Sequence, residues 1–474
     1  MEEDKMRKPI LIIGLFVAIA TIALVYATQT PATSTVQPPG TKFITVPVTG
    51  SNSEGNVRFD WKLANSYLML NSAGDAYLDL RITGKNLPGN GNRKPMNLVL
   101  VIDRSGSMAD ENKLEQVKEA AVAMLNQMNA SDRLGIVIYD DYVQTVLAPS
   151  PVENKSRVRD IIYGLSSGGS TNLCGGLQQG FEEVKKHFLK DSVNRVVLLS
   201  DGLANVGITD PEQIAAVARQ IRERSVSVSA MGVGIDYNET LMANIADHSG
   251  GNYYYISKDV NMADIFRREW NLMQNVIANK ATARFDLGSG VEVIDVAGFK
   301  WSLSGRKLQI EVPDIYSGET KRIMVHLRAP ANEKSKIELA RGEFTYTEIN
   351  GKEPETFSRI FSPTIEVVGD RAVVASNVDQ EVSAKVASVE ASKQMDEAYQ
   401  RWEAGDQAGA YELANTANEK LKALGYTQNQ SQVFRYDSFV SGMSKPEAQA
   451  PQVKKDMLKR QKEAERKAQQ SVAQ

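Results

Sequence analysis

The chain has 474 residues but only one cysteine and three histidines, which excludes several kinds of chemistry. Cys174 has no second cysteine with which to form an internal disulfide, and no CxxC zinc pattern can be built. The histidines do not form an HExxH motif, and neither GxxxxGKS nor GxxxxGKT occurs. The sequence therefore argues against a zinc protease and against a P-loop nucleotide-binding protein. Any binding chemistry must come mainly from oxygen atoms.

An excess of charge of one sign is also lacking. The 55 basic and 58 acidic residues give a net charge of −3, so no global field would concentrate nucleic acid on the surface. Hydrophobic residues make up 42% and charged residues 24%, which is average for soluble globular protein. A chain of this length is typical of about three domains. We therefore expect several folded domains, and neither nucleic acid nor nucleotide as a partner.

One segment near the N-terminus is unusually apolar. Residues 9–27 (PILIIGLFVAIATIALVYA) have no charged residue and are just long enough to cross about 30 Å of hydrocarbon as a transmembrane helix. Basic residues precede this segment, so residues 1–8 are predicted to be cytoplasmic and the body of the chain to lie outside the cytoplasm. The alternative is a cleaved signal peptide, which would make the protein secreted rather than a single-pass membrane protein of the periplasm or cell surface. Residues 28–55 are predicted to form a stalk.

From residue 97 onward, strand-like and helix-like runs alternate. Asn97–Asp103 (NLVLVID) is continuously apolar, as in a central parallel strand that is buried on both faces. A helix is predicted over Pro211–Arg224 with Asp210 as its N-cap, and a long amphipathic helix from Met262 to Asn279 closes the unit. This alternation predicts a doubly wound, Rossmann-like α/β domain over residues 95–280.

The flanking segments have other patterns. Residues 56–94 and 281–370 contain short β-type runs broken by Gly, Pro and Asn. Because the first segment is too short to build a core alone, we expect it to pair with the second in a β-sandwich into which the α/β domain is inserted. Residues 371–425 are predicted to form one helical hairpin of tetratricopeptide type. Residues 426–474 are predicted to be a disordered tail or a loose helix.

The strongest chemical pattern follows the apolar strand that ends at Asp103. Ligands of open α/β sheets bind outside the carboxyl ends of the strands, where the series Asp103-Arg104-Ser105-Gly106-Ser107 begins. A Gly-rich loop at residues 168–172 and the end of the strand RVVLLS are predicted to reach the same edge. Together these segments can present two carboxylates and three hydroxyls to one hard cation. The candidate metal ligands are Asp103, Ser105, Ser107, Thr171 and Asp201.

This constellation resembles the von Willebrand factor type A (VWA) domain and its metal-ion-dependent adhesion site (MIDAS). The DxSxS motif, the later Thr loop and SDG occur in that order over residues 97–279. The resemblance implies that the same five residues bind a divalent cation, Mg²⁺ in the first place, with Mn²⁺ or Ca²⁺ as alternatives. It also implies a protein partner that offers a carboxylate to the metal. The whole layout further resembles bacterial VWA proteins labelled homologues of calcium-activated chloride channel accessory proteins.

The residue types fit this kind of binding. Mg²⁺ takes six oxygen ligands and usually keeps waters beside one or two protein carboxylates. Two carboxylates and three hydroxyls leave such an ion short of a ligand, and its charge is not over-neutralised. The ion could therefore accept a carboxylate from a partner.

Weaker patterns favour structural roles. Gly164–Gly168 matches the GxSxG nucleophile elbow, but a predicted helix precedes it where that motif requires a strand. Cys174 is expected to be a small buried apolar residue, and His248 a turn residue. Asp140 and Asp141 are expected to form the turn of a hairpin. None of these patterns predicts an enzyme.

The sequence as a whole predicts a membrane-anchored exported protein that binds a protein partner through a divalent cation. The alternative is an assembly or chaperone-type factor for cell-envelope complexes, of the kind that some bacterial VWA proteins serve beside ATPases. A channel is disfavoured because one apolar span without intramembrane polar residues cannot line a pore.

Overall fold

The structure is a computed structural model, and it describes residues 42–45, 55–87, 93–190, 192–349, 353–423, 426–443 and 451–470. The predicted cytoplasmic segment 1–8, the apolar span 9–27 and most of the stalk 28–55 lie outside the described residues. Within the described ranges, no helix is both long enough and apolar enough to cross a bilayer.

The first described strands precede the α/β unit. They are β1 (Lys42–Thr45), β2 (Val57–Leu63), β3 (Tyr67–Met69) and β4 (Asp75–Gly84). In β2 the buried Phe59 and Trp61 alternate with more exposed polar residues. This alternation is typical of a strand with one face toward a core.

The described part of the α/β unit alternates strands with helices. Its strands are β5 (Met96–Asp103), β6 (Arg133–Tyr139), β7 (Val143–Pro151), β8 (Val193–Ser200), β9 (Ser227–Val233) and β10 (Tyr253–Ile256). Its α-helices are α1 (Lys113–Gln127), α2 (Lys155–Tyr163), α3 (Leu173–Lys186), α4 (Pro211–Glu223), α5 (Glu239–Ser249) and α6 (Met262–Gln274). A 3₁₀ segment over Gly106–Asn112 precedes α1.

The strands of this unit form one sheet in the order β10-β9-β8-β5-β6-β7. All neighbours are parallel except the edge strand β7, which pairs antiparallel with β6. Every residue of the central strands β5 and β8 is buried, because helices cover both faces of the sheet. As predicted, Asp210 caps α4: its Oδ1 accepts a hydrogen bond of 2.9 Å from the Gln213 backbone N–H. The predicted doubly wound α/β fold is therefore confirmed.

A β-rich region follows α6. Its strands are β11 (Val276–Leu287), β12 (Glu292–Ala297), β13 (Lys300–Ser304), β14 (Lys307–Glu311), β15 (Ile315–Tyr316), β16 (Thr320–Arg328), β17 (Lys336–Glu338), β18 (Ala340–Glu348), β19 (Glu355–Phe361) and β20 (Thr364–Val368). One sheet has the order β1-β19-β18-β11-β14-β13, with β15 beside β11. A second has the order β12-β16-β4-β2, and a small third sheet the order β17-β20-β3.

The two larger sheets pack face to face. The ring of Phe59 on β2 lies 4.9 Å from that of Phe344 on β18 and 5.0 Å from that of Phe361 on β19, measured between centroids. Strand β4 from before the α/β unit pairs with β16 from after it. The chain therefore leaves this sandwich after β4 and returns to it at β11.

One predicted boundary of the α/β unit is wrong. The helix expected over residues 262–279 ends at Gln274, and β11 begins at Val276. The backbone of Val276–Asn279 pairs with β15 and β18 instead of continuing the helix. The apolar residues Val276 and Ile277 suit either period, so the pattern alone did not mark this change.

The described residues of the C-terminal region are mainly helical. Its helices are α7 (Arg371–Ser376), α8 (Gln380–Glu403), α9 (Gln407–Ala423), α10 (Tyr426–Met443) and α11 (Pro451–Gln470). The predicted hairpin corresponds to α8 and α9. For residues 426–474 the alternatives were a disordered tail or a loose helix, and the disordered alternative does not hold for α10 and α11, which are helices. The ring of Phe439 on α10 meets Tyr399 and Trp402 of α8 edge-to-face, at 4.6 Å and 5.1 Å between centroids, so α10 completes the helical core.

Helix α11 also contacts the α/β unit. Lys459 Nζ lies 3.7 Å from the ring centroid of Tyr237 and donates to the Tyr237 carbonyl at 3.2 Å. Lys455 Nζ donates to Asp236 at 2.9 Å, and Arg460 pairs with Asp259. These partners lie in the loops after β9 and β10, so α11 holds two loops at the carboxyl edge of the sheet.

At the amino ends of its strands, the sheet is joined to the sandwich by a buried ion pair. Arg195, near the start of β8, donates from Nη2 to Asp314 Oδ2 at 2.9 Å, and its Nη1 lies 3.7 Å from Glu269 Oε1. Ser227 Oγ also donates to Asp314 Oδ2 at 2.9 Å. All three charged side chains are buried, so removing the guanidinium would leave two carboxylates without their cation.

We expect Arg195→Met to lower the free energy of unfolding by about 3–5 kcal/mol, because breaking a buried ion pair leaves an uncompensated charge. Urea denaturation monitored by circular dichroism measures this change. The matched control is Arg58→Met, which removes an exposed pair with Asp60 and should change stability by at most about 0.5 kcal/mol. Equal effects of the two substitutions would contradict the role of Arg195.

Candidate metal centre at the carboxyl edge of the sheet

The structure brings the five predicted ligand residues to one place. Asp103 is the last residue of β5, and Ser105 and Ser107 lie in the turn that follows. Thr171 lies in the loop before α3, and Asp201 directly follows β8. Because β5 and β8 are parallel neighbours, their carboxyl ends meet at the same edge.

Hydrogen bonds link the carboxylates and the serine hydroxyls into a continuous cluster. Asp103 Oδ1 accepts from the Ser105 backbone N–H at 2.9 Å, which folds the turn back over the strand end. The hydroxyls of Ser105 and Ser107 lie 3.2 Å apart. Ser107 Oγ donates to Asp201 Oδ1 at 2.8 Å. Oxygen atoms from two strand ends are therefore within hydrogen-bonding distance of one another.

The loop with Thr171 is held against this cluster. The backbone N–H of Gly106 donates to the Gly169 carbonyl at 3.0 Å, and the Thr171 N–H donates to Asn205 Oδ1 at 2.8 Å. A Cβ placed on Gly202 would lie 3.3 Å from Thr171 Oγ1 and 3.8 Å from Ser107 Oγ. Glycine at position 202 thus keeps open the space beside both hydroxyls.

Both carboxylates are almost completely buried, and burial disfavours their charge. The pKa of Asp103 is raised to about 6. Burial is the largest cause and the nearby Asp201 carboxylate adds to it, while hydrogen bonds from Ser105 and Ser200 act in the opposite direction. Ser200 Oγ donates to Asp103 Oδ2 at 2.8 Å. A divalent cation would favour the ionised form of both carboxylates.

Two residues of this site, Lys113 and Ser200, are not among those predicted from the sequence. Lys113, at the start of α1, donates from Nζ to Asp201 Oδ2 at 2.7 Å and is buried. Its position on the inward stripe of an amphipathic helix, four residues before Val117, was the available signal. Ser200 is the single polar residue at the end of the apolar run VVLLS, and that placement could have indicated its role.

The two aspartates of the hairpin have a second role besides their predicted turn. Asp140 Oδ1 accepts from the Tyr142 N–H at 2.7 Å, as expected for a turn. Its Oδ2 also pairs with Arg104 Nη2 at 2.6 Å, and Asp141 Oδ2 accepts from the Ser170 N–H at 3.1 Å. These contacts tie the hairpin to both polar loops of the site.

The other residues singled out by pattern lie apart from the cluster or have structural roles. Cys174 is buried in α3, and burial raises the pKa of its thiol. Gly164 follows the end of α2, so no strand precedes the GxSxG match. The prediction that His248 is a turn residue is wrong: it lies in the last turn of α5, with Nδ1 3.1 Å from Glu311 Oε2.

The donor set fits a hard cation. Among the described residues, no group of three or more His, Cys, Asp and Glu side chains is placed to hold a metal ion. A cation at this edge would therefore depend on two carboxylates together with hydroxyls. Carboxylate and hydroxyl oxygens suit Mg²⁺, Mn²⁺ or Ca²⁺ better than softer metals.

Comparison with known proteins identifies this unit. Residues 97–268 match the family model of the von Willebrand factor type A domain. YfbK of Escherichia coli is 32% identical over 191 residues, which are 40% of this chain and 33% of that protein. Protein sll0103 of Synechocystis is 24% identical over 335 residues, which are 69% of this chain and 78% of that protein. The chain thus spans about a third of YfbK and most of sll0103.

A solved structure supports the same fold. The von Willebrand factor type A protein from Catenulispora acidiphila aligns with a TM-score of 0.62 at 15% sequence identity. The alignment covers 81% of this chain and 90% of that one, so the likeness extends beyond the α/β unit. At this identity it shows the fold alone.

Because the pKa of Asp103 is raised, the free energy of unfolding should depend on pH when a chelator keeps the protein free of metal. Because its folded pKa of about 6 lies above its usual value of 3.8, the folded state binds more protons between these values. Stability from this group is therefore present at low pH and is lost as pH rises through about 6. We expect the free energy of unfolding, relative to Asp103→Asn, to rise as pH falls from 6 to 4, by at most about 1 kcal/mol per pH unit. A flat difference between the two proteins in urea titrations would contradict the burial effect.

Proposed function

We propose that this chain, in which residues 97–268 form a VWA domain, binds a protein partner through a divalent cation. VWA domains commonly serve protein interaction and adhesion, and many bind a divalent metal at a MIDAS. The proposed ligands are Asp103, Ser105, Ser107, Thr171 and Asp201. The observation that supports the proposal is the convergence of their oxygen atoms at one sheet edge.

The proposed ion is Mg²⁺, with Mn²⁺ or Ca²⁺ as alternatives, and the proposed group on the partner is a carboxylate. When bound, the ion would supply a Lewis acid with a coordination position for that carboxylate. The Lys113 ammonium beside Asp201 changes the formal charge of the site. Two carboxylates and one ammonium sum to −1, so a divalent ion brings the total to +1. A cationic site of this kind attracts an anionic group.

We also propose where the chain lies relative to the membrane. Residues 9–27 are proposed to anchor the chain in the membrane, with its body in the periplasm or on the cell surface, or to be cleaved so that the body is secreted. The support is the uncharged segment and the basic residues before it. We propose a binding protein and not an enzyme, with neither nucleic acid nor nucleotide as a ligand.

A second candidate is an assembly or chaperone-type factor for cell-envelope complexes. The C-terminal helices favour it, because they expose apolar side chains outside the VWA unit, among them Phe434 on α10 and Tyr411 on α9. Such residues could hold a second partner while the VWA domain binds the first. Capture from envelope extracts distinguishes the two functions, since an assembly factor should recover several subunits of one complex.

We expect Asp103→Ala to weaken Mg²⁺ binding at least 100-fold and to abolish Mg²⁺-dependent capture of an envelope partner by the full chain. The fold should persist, because the substitution removes a buried charge at a loop edge and leaves the core intact. Isothermal titration calorimetry with MgCl₂ measures the first effect. Asp236→Ala is the matched control, since it removes an exposed carboxylate at the same sheet edge. Undiminished Mg²⁺ binding by Asp103→Ala would refute the site.

We expect Lys113→Met to bind Mg²⁺ at least tenfold more tightly but the carboxylate partner more weakly, because a positive charge beside the ion is removed. In chelator the variant should unfold at lower temperature, since Asp201 is left buried without its cation, and Mg²⁺ should restore stability. Calorimetry and thermal unfolding with and without MgCl₂ test this. Lys118→Met is the matched control, because Lys118 is a buried lysine of the same helix whose partner is Glu115. Unchanged Mg²⁺ affinity in Lys113→Met would contradict the charge argument.

A further inference from the structure

The candidate metal centre is bordered by exposed apolar side chains. Tyr142 is 81% exposed, Leu203 57% and Ile208 37%, and Tyr142 is the most exposed large apolar side chain among the described residues. We propose that these three side chains, here called the apolar rim, select a partner segment in which one carboxylate is flanked by apolar side chains. This inference rests on the proposed function of the metal centre and adds the chemistry of the partner around its carboxylate.

Tyr142 lies in a turn that hydrogen bonds fix to the loop before Thr171. Its N–H donates to Asp140 Oδ1 at 2.7 Å, and the neighbouring Asp141 accepts from the Ser170 N–H at 3.1 Å. Ser170 directly precedes Thr171. The close approach of the two loops requires Gly169, whose φ is +81° and on which a Cβ would lie 2.6 Å from Asp141 Oδ2. The aromatic ring is therefore presented to solvent from a fixed turn beside the ligand loop.

Leu203 and Ile208 lie on the β8–α4 loop, and a Cβ placed on Gly207, next to Ile208, would lie 2.7 Å from Asn172 Oδ1 beside the ligand loop. Leu203 follows Gly202, on which a Cβ would lie 3.3 Å from Thr171 Oγ1, and consecutive Cα atoms are only about 3.8 Å apart. The Thr171 carbonyl accepts from the N–H groups of Asn205 at 3.1 Å and Val206 at 3.3 Å, which fixes the loop. Apolar side chains thus border the oxygen cluster on two loops.

The position of these side chains beside the candidate metal centre indicates that they belong to an interaction surface. Single exposed apolar residues are ordinary on protein surfaces, whereas apolar groups gathered beside a binding site indicate an interaction surface. Tyr142 and Leu203, at 81% and 57% exposed, keep most of their area in contact with water until a partner covers them. The hydrophobic effect would then add to the affinity that a metal–carboxylate contact supplies.

The charges beside the apolar rim favour a partner segment with one carboxylate over a segment with several. Arg104 is already paired with Asp140 at 2.6 Å, and Lys113 with Asp201 at 2.7 Å. Because these two side chains are paired, the net positive charge beside them would come from the bound ion. Asp141 adds a negative charge next to Tyr142, which disfavours a second acid in the partner segment. The occupant that fits is a short peptide segment with one Asp or Glu between bulky apolar side chains.

Synthetic peptides test this occupant directly. The probes are fluorescein-labelled peptides with one central Asp, flanked on both sides either by Leu and Phe or by Ser, and a Leu/Phe-flanked peptide with Asn in place of Asp. Fluorescence anisotropy with the full chain in MgCl₂ should show at least tenfold tighter binding of the Leu/Phe-flanked Asp peptide than of the Ser-flanked peptide. Binding should be lost when chelator replaces MgCl₂ and when Asp103→Ala replaces the unaltered chain. The Asn peptide should not bind.

Variants of the rim complete the design. Tyr142→Ser and Leu203→Ser should each weaken the Leu/Phe-flanked peptide about tenfold, while leaving the Ser-flanked peptide and Mg²⁺ affinity unchanged. Leu303→Ser is the matched control, because Leu303 is 46% exposed on β13 of the sandwich, outside the VWA unit. Thermal unfolding verifies that each variant is folded.

The outcomes separate the rim from the metal centre. Mg²⁺-dependent binding of the Asp peptides without preference for apolar flanks overturns the rim and leaves the proposed function standing. Equal binding of the Asn peptide overturns the joint recognition of carboxylate and apolar groups. Failure of every peptide to bind in MgCl₂ overturns the rim as a peptide-selecting surface. If Mg²⁺ itself does not bind in calorimetry, the proposed function fails as well.

Discussion

Two carboxylates buried at the ends of neighbouring parallel strands are the constraint on which the arrangement of the site depends. An ionised carboxylate removed from water is costly unless hydrogen bonds or cations compensate for its charge. Asp103 receives hydrogen bonds from Ser105 and Ser200, and Asp201 receives them from Ser107 and Lys113. These requirements place polar groups from three segments of the chain around one sheet edge. They also produce a site whose charge balance changes when a divalent cation binds.

The rest of the chain holds that edge in place. At the amino edge of the sheet, Arg195 joins β8 to Asp314 of the sandwich through a buried ion pair. At the carboxyl edge, α11 reaches the loops after β9 and β10 through Lys459 and Arg460. The α/β unit is therefore fixed at two edges, by elements that lie after it in the sequence. The loops that α11 holds follow β9 and β10, and β9 is the neighbour of β8, whose end is followed by Asp201.

Charge and apolar surface have complementary parts in the proposed recognition. A metal–carboxylate contact is directional and accepts any accessible acid, so by itself it distinguishes poorly among partners. The side chains of Tyr142, Leu203 and Ile208 contribute area that an apolar neighbour of the acid can cover. The pairing of Arg104 with Asp140 keeps a second strong cation from competing for the acid. Affinity and selectivity would thus come from different groups on the same loops.

The sequence by itself determined the α/β alternation, the N-cap of α4 and the convergence of Asp103, Ser105, Ser107, Thr171 and Asp201. These features follow from local periodicity and from the rule that parallel strands end at one edge, and neither requires knowledge of distant contacts. Tertiary structure alone decided that Lys113 reaches Asp201, that the helix after Met262 ends at Gln274, and that α10 and α11 are ordered helices. Each of these depends on partners far along the chain, such as Trp402 for Phe439 and β18 for the start of β11. A polar or ambiguous segment shows its structure only when the surface that it covers is present.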